Sequence, residues 1–119
     1  MISIVDDDES VRESTKALVR SLGYAACVFA SAEEFLSSDV DDTACLILDV
    51  QMKGVSGVEL QKQLIAQGRR TPIIFVTAFA DEIIRDQVLN AGAIGFLRKP
   101  YNDEKLTQCL EVALARLNA

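Results

Sequence analysis

The chain has 119 residues, 50% hydrophobic and 25% charged, with 2 Pro and 6 Gly, the make-up of one ordinary globular domain and not of a disordered, collagenous or repetitive chain. Its 18 Asp+Glu against 12 Lys+Arg give a formal charge of -6, which argues against a surface for nucleic acid or for anionic membrane. His is absent, so His-ligated metals, His general bases and phosphohistidine chemistry within the chain are excluded.

Ile2–Val5 reads as a strand covered on both faces, and the acids Asp6, Asp7, Asp8 and Glu9 follow it. Residues 9–22 are predicted helical, with Val11, Leu18 and Leu22 on one side and Gly23 as the stop. Tyr24–Phe29 is the second strand, although its alanines fit a helix equally well. Ser31 and Glu34 form a capping-box pattern for a short helix over 32–37. Cys45–Leu48 is the third strand, with Asp49 directly behind it, and 57–67 is a helix with Leu60 and Leu64 four apart. Ile73–Val76 is the fourth strand, followed by Thr77, and 81–91 is a helix with Ile84, Val88 and Ala91 on one stripe. Gly68 and Gly92 end these two helices. Ile94–Leu97 is the fifth strand, with Lys99 and Pro100 just beyond. The last helix, 103–117, sets Leu106, Leu110, Ala113, Leu114 and Leu117 at helical spacing.

Five βα units in succession predict an α/β fold, an open, three-layer, doubly wound parallel sheet, over a single domain of residues 1–119. The three Cys (27, 45 and 109) form no CxxC pair and read as reduced core thiols. No apolar run approaches a membrane span, and MISIVDDDES lacks the basic region of a signal peptide, so a soluble cytoplasmic domain is expected.

Ligands of such sheets bind beyond the carboxyl ends of the strands, where the strand order reverses. Asp6, Asp7, Asp49, Thr77 and Lys99 all stand at those ends. Two ionised carboxylates about 4 Å apart repel by roughly 4 kcal/mol at an effective dielectric near 20. They must share a proton, pair with Lys, or bind a cation. With oxygen donors alone, that cation is Mg²⁺ or Mn²⁺. A carboxylate also serves as a nucleophile toward phosphorus, and phosphoryl transfer chiefly needs positioning and charge neutralisation. Asp49 is the better nucleophile, because it stands alone at a strand end and not within an acid run. Asp8 and Glu9 read instead as acids favoured at a helix N-terminus, and Ser56 and Gly57 as the start of the third helix.

VDDDE at 5–9, LILDV at 46–50, FVTA at 75–78 and KP at 99–100 together resemble the receiver domain of bacterial two-component response regulators, over essentially the whole chain. The resemblance implies a flavodoxin-like (βα)5 fold of strand order 2-1-3-4-5, with Asp49 accepting phosphate from a sensor histidine kinase. It further implies that Asp7 and Asp49 bind Mg²⁺ directly, Asp6 acts mainly through water, and the carbonyl of Gln51 completes the protein ligands. Thr77 and Lys99 would each bond a phosphoryl oxygen, and the Lys99–Pro100 peptide would be cis. Phe96 holds the place of the switch aromatic; from the residues alone it reads equally as a core side chain. The 81–117 face would report phosphorylation through homodimerisation or through an output domain, commonly a DNA-binding helix-turn-helix outside this chain. A lone receiver and a piece of a longer regulator both fit the sequence.

Three positions depart from, or tune, the pattern. Lys53 stands where the family usually has Pro, and Phe79 and Gln51 hold positions that set the rate of phosphate loss, with Phe79 expected to shield the phosphoryl group. Two other readings compete. A phosphatase of the haloacid-dehalogenase type also uses Asp, Thr and Lys at strand ends, but needs an acid where Gln51 stands. A pseudo-receiver would work by binding a partner without phosphorylation.

Overall fold

Short apolar runs become strands here because helices cover both of their faces. The computed structural model describes residues 1–38, 43–79 and 81–117. In chain order these form β1 (Ile2–Val5), α1 (Glu9–Ser21), β2 (Ala26–Phe29), α2 (Ala32–Ser37), β3 (Cys45–Asp49), α3 (Gly57–Ala66), β4 (Ile73–Thr77), α4 (Glu82–Asn90), β5 (Gly95–Arg98) and α5 (Asp103–Leu117). The strands make one parallel sheet of order β2-β1-β3-β4-β5, the doubly wound flavodoxin-like topology expected. The order reverses between β1 and β3, which pair directly with Val5 opposite Leu48. The crevice beyond their carboxyl ends is the place such a sheet offers a ligand.

Side chains alternate across the sheet, and two cores result. One gathers Val5, Leu46, Leu48 and Phe75 from the strands against Phe35 of α2, Leu60 and Leu64 of α3 and Val88 of α4. The other gathers Ile2, Ile4, Cys45, Ile47, Ile74 and Val76 against Val19 of α1 and Leu106, Leu110 and Ala113 of α5. Strands β1, β3 and β4 are buried throughout, whereas the edge strands β2 and β5 are only partly covered.

Helix starts follow local chemistry. Asp8, Ser31, Ser56 and Asp81 cap α1 to α4, each side chain accepting a backbone N–H of the first turn. The capping box at α2 is only half formed. Ser31 accepts from Glu34 N–H, but the Glu34 carboxylate reaches Ala30 N–H and not that of Ser31. Helices α1, α3 and α4 stop at Gly23, Gly68 and Gly92, all of positive φ.

Several boundaries differ from expectation. β2 begins at Ala26, because Tyr24 N–H is used to bond Val19 O at the end of α1. β5 runs one residue later than predicted, although Ile94 N–H still bonds Ile73 O. On α1 the buried pair is Thr15 and Val19, and Leu22 is exposed because it sits at the C-cap, where the chain turns. Ala91, the C-cap of α4, is likewise exposed. Cys45 is buried as expected, but Cys27 and Cys109 are partly exposed. The side chain of Leu117 lies outside the described residues. Among the described residues no helix is long and apolar enough to cross a membrane.

The start of α3 is pressed against β3. A Cβ on Gly57 would lie 2.2 Å from the Asp49 carbonyl oxygen, a backbone atom that cannot swing aside. Gly57→Ala is therefore expected to destabilise the chain by about 2–3 kcal/mol, the upper part of the range for overpacking, as measured by urea unfolding.

Candidate functional site

Alternation along the strands decides which functional groups meet. Ile4, Ile47 and Leu97 point to the α1/α5 core, and two residues beyond each stand Asp6, Asp49 and Lys99, on the same parity. These three form one ionic group. Lys99 Nζ lies 2.7 Å from Asp6 Oδ2 and 3.4 Å from Asp49 Oδ2. Asp6 and Asp49 are buried at 1% and 4% exposure, while Asp7 is exposed. One carboxylate oxygen from each of Asp6, Asp7 and Asp49 lies within 4.8 Å of the other two.

Backbone groups hold the acids in place. Asp6 Oδ1 accepts Asp8 N–H at 2.9 Å, and Arg12 Nη1 donates to Asp6 O at 2.9 Å. Arg12, which sequence reasoning missed, thus pins the acid turn from α1. Its only sequence signal is its place on the first turns of the helix that follows the acids. Gln51 N–H donates to Asp49 Oδ1 at 3.3 Å, while the residue itself is exposed.

Thr77 and Phe96 take the opposite parity. Ile73 and Phe75 of β4 belong to the α2–α4 core, and Thr77 continues that series. Phe96 packs partly buried against the same core, in register with Phe75. Thr77 Oγ1 donates to Phe79 O at 3.0 Å and accepts Phe79 N–H at 3.1 Å, so its hydroxyl is held by its own loop. Phe79 itself is 67% exposed. The link from Thr77 to the ionic group runs through backbone, with Lys99 N–H donating to Thr77 O at 2.7 Å. The Lys99–Pro100 peptide is cis.

Burial raises the Asp49 carboxyl to about 6, with the Asp6 charge adding to the rise and Lys99 and the Gln51 N–H opposing it. Burial works against the charge on Lys99, but bonds and charges from Asp6 and Asp49 outweigh it and lift its pKa above the ordinary value. Burial also pushes the Cys45 thiol up to about 12, so it is not a thiolate ligand at neutral pH. The donor set is oxygen alone, two carboxylates buried and one open to water. That set fits a hard divalent cation that keeps part of its hydration shell.

Comparison with known proteins is consistent across sequence and structure. The family model for the response regulator receiver domain matches residues 2–111. The transcriptional regulatory protein TdiR of Thauera aromatica is 40% identical over 115 residues, which are 96% of this chain and 51% of TdiR. The response regulator protein TodT of Pseudomonas putida is 41% identical over 116 residues, again 96% of this chain and 51% of its own length. The solved structure of response regulator StyR superimposes with a TM-score of 0.89 at 41% identity, covering 96% of this chain and 58% of that one. The chain therefore spans about half the length of the curated relatives it matches.

The raised Asp49 carboxyl sets a pH dependence for the cation-free chain. Between about pH 4 and pH 6 the folded state keeps a proton on Asp49 that the unfolded state has lost, so stability falls as pH rises through this window. In EDTA at pH 7.5, Asp49→Asn is expected to be more stable than wild type by about 1–2 kcal/mol, allowing for solvent screening. Thermal unfolding from pH 4 to 7.5 checks both the gain and the flattened profile of the variant.

Proposed function

The chain belongs to the response regulator receiver domain family, and from that premise we propose that it is a phosphorylation-driven signalling switch with Asp49 as phosphoacceptor. The observation that carries the reading is the buried Asp49 at the switch point of the sheet, with Lys99 at 3.4 Å and the acids Asp6 and Asp7 beside it. The phosphoryl donor, as membership of the family implies, is the phosphohistidine of a sensor histidine kinase, a residue that lies outside this chain, which contains no His. An Asp49 carboxylate oxygen forms the new bond to phosphorus. The N–P bond of the donor breaks, and its electron pair stays on the partner's imidazole nitrogen.

Mg²⁺ or Mn²⁺ would be held by Asp7, Asp49 and the Gln51 carbonyl, with Asp6 acting through water. When bound, the cation neutralises charge on the transferring phosphoryl group. Lys99 would pair with one phosphoryl oxygen. Thr77 would turn its hydroxyl from Phe79 O to another, and Phe96, on the same face of the sheet, would follow it inward. Phe79, exposed on the loop after β4, would shield the phosphoryl group from water. The chain is a switch and not a turnover enzyme. Gln51 gives Asp49 only an N–H where a phosphatase of the alternative type needs an acid, and nothing in the site favours that reading or the pseudo-receiver.

The proposed output face is 81–117. It carries the exposed Ile83, and an open cavity lined by Asp81, Glu82, Arg85, Arg98 and Lys105. Charges of both signs on one patch suit a two-fold pairing of identical copies. The relatives' names and doubled length support a cytoplasmic regulator of transcription whose DNA-binding output domain follows the receiver, and this domain itself would contact neither nucleic acid nor membrane.

Acetyl phosphate with Mg²⁺ is expected to add one phosphoryl group, read by intact mass, to wild type and none to Asp49→Asn. Lys99→Ala is expected to slow that step about 10- to 100-fold, the kinetic equivalent of one charge-assisted hydrogen bond. In the same assay Phe79→Glu shortens the phosphoryl lifetime. A stoichiometric adduct on Asp49→Asn, or turnover of a phosphate monoester, would overturn the assignment. With beryllofluoride and Mg²⁺, light scattering is expected to show the mass doubling, and Ile83→Arg to prevent it.

A further inference from the structure

We infer that Glu33, on α2, is a positioning residue for the cation site beside Asp49; the inference rests on the function proposed above. The segment from Val50 to Ser56 leaves the end of β3 and returns to start α3. Its base is firmly closed. Val50 is buried, Gly57 N–H donates to Val50 O at 2.9 Å, and Gly57 stacks on the Asp49 backbone. Its tip is held from elsewhere. Val55 N–H donates to Glu33 Oε1 at 2.8 Å, a contact between residues 22 apart in sequence.

Gly54 supplies the second observation. Its φ is +79°, and a Cβ built there would lie 3.0 Å from Glu33 Oε1 and 3.1 Å from Oε2. The carboxylate thus packs where a Cβ at 54 would stand, closer than ordinary contact, and the positive φ of the turn favours glycine there. Among the described residues, no other hydrogen bond ties residues 52–55 to another element. The tip contains no Pro, and Lys53 at its centre is exposed, so nothing in its covalent geometry stiffens it. Met52 and Val55 pack on the α2–α4 core, as does Leu36 of the helix that carries Glu33.

Gln51 immediately precedes this tip, two residues after Asp49, and its carbonyl is the proposed third protein ligand. Glu33 acts on that ligand through the backbone and touches neither cation nor phosphate. Mg²⁺ demands nearly ideal octahedral geometry, whereas Ca²⁺ accepts irregular and variable coordination. Releasing the tip should therefore weaken Mg²⁺ more than Ca²⁺, a selectivity change that mere loss of a nearby negative charge would not produce.

The test is isothermal titration calorimetry of the 119-residue chain with MgCl₂ and with CaCl₂, for wild type, Glu33→Ala and Glu33→Gln. Glu33 is exposed, so both variants leave the cores intact. Glu33→Ala is expected to weaken Mg²⁺ about 3- to 10-fold, the equivalent of one hydrogen bond, and Ca²⁺ distinctly less. Glu33→Gln keeps a carbonyl oxygen that accepts Val55 N–H, and is expected to retain most of the wild-type Mg²⁺ affinity. Unchanged Mg²⁺ affinity in Glu33→Ala, equal losses for the two cations, or equal losses in the Ala and Gln variants would each overturn the inference. A wild type that binds no Mg²⁺ would instead overturn the proposed function, and this inference with it.

Discussion

One ammonium group shared by two buried carboxylates organises the functional end of this molecule. Lys99 reaches Asp6 at 2.7 Å and Asp49 at 3.4 Å, drawing β1, β3 and the segment after β5 onto a common point. With Asp7 included, three carboxylates and one ammonium sum to -2 when fully ionised. Such a group is unbalanced by the charge of one divalent cation. Burying that excess is unfavourable, as the raised Asp49 carboxyl shows, and a bound divalent cation would relieve it. Phosphorylation of Asp49 would replace its single carboxylate charge with a phosphoryl group of about -1.5 to -2. The net gain is at most about one negative charge, so the lysine and a bound cation would be needed at least as much after the reaction as before it.

Much of this was legible in the residues, for physical reasons that differ from one feature to the next. Strands buried on both faces leave uninterrupted apolar runs, and β1, β3 and β4 therefore stood out to within a residue. The functional polar groups stood out because each breaks such a run at its carboxyl end. Leu22 and Ala91 misled because periodicity ignores the turn at a helix end, where a residue of the right phase swings into solvent. What the sequence could not show was the division of the site between two faces. That division depends on the parity of each strand's last residue, and a one-residue error in a boundary inverts it.

Side chains that act across long sequence separations were equally hidden. Glu33 and Glu34 are adjacent acids on one short helix, and the capping pattern drew attention to Glu34 alone. Only the folded chain shows that Glu33 reaches the turn after β3. Gln61 is similar. A glutamine at 3% exposure runs against every hydropathy rule, and its reason is one bond from Nε2 to Val88 O that ties α3 to the end of α4. Satisfying that buried amide also spares it the desolvation cost of an unpaired polar group.

The two cores that flank the sheet share no residue, and this has a consequence for how such a domain changes over generations. Asp6, Asp49 and Lys99 continue the series packed by α1 and α5, whereas Thr77 and Phe96 belong to the side packed by α2 to α4. Substitutions that reshape one layer act on a different set of neighbours from those in the other, and effects at such separate sites tend to add. A surface inherited on α4 is therefore freer to drift than one on α5, which shares a core with the series that ends in the acid pocket. The strands are the one component that both inheritances must hold constant.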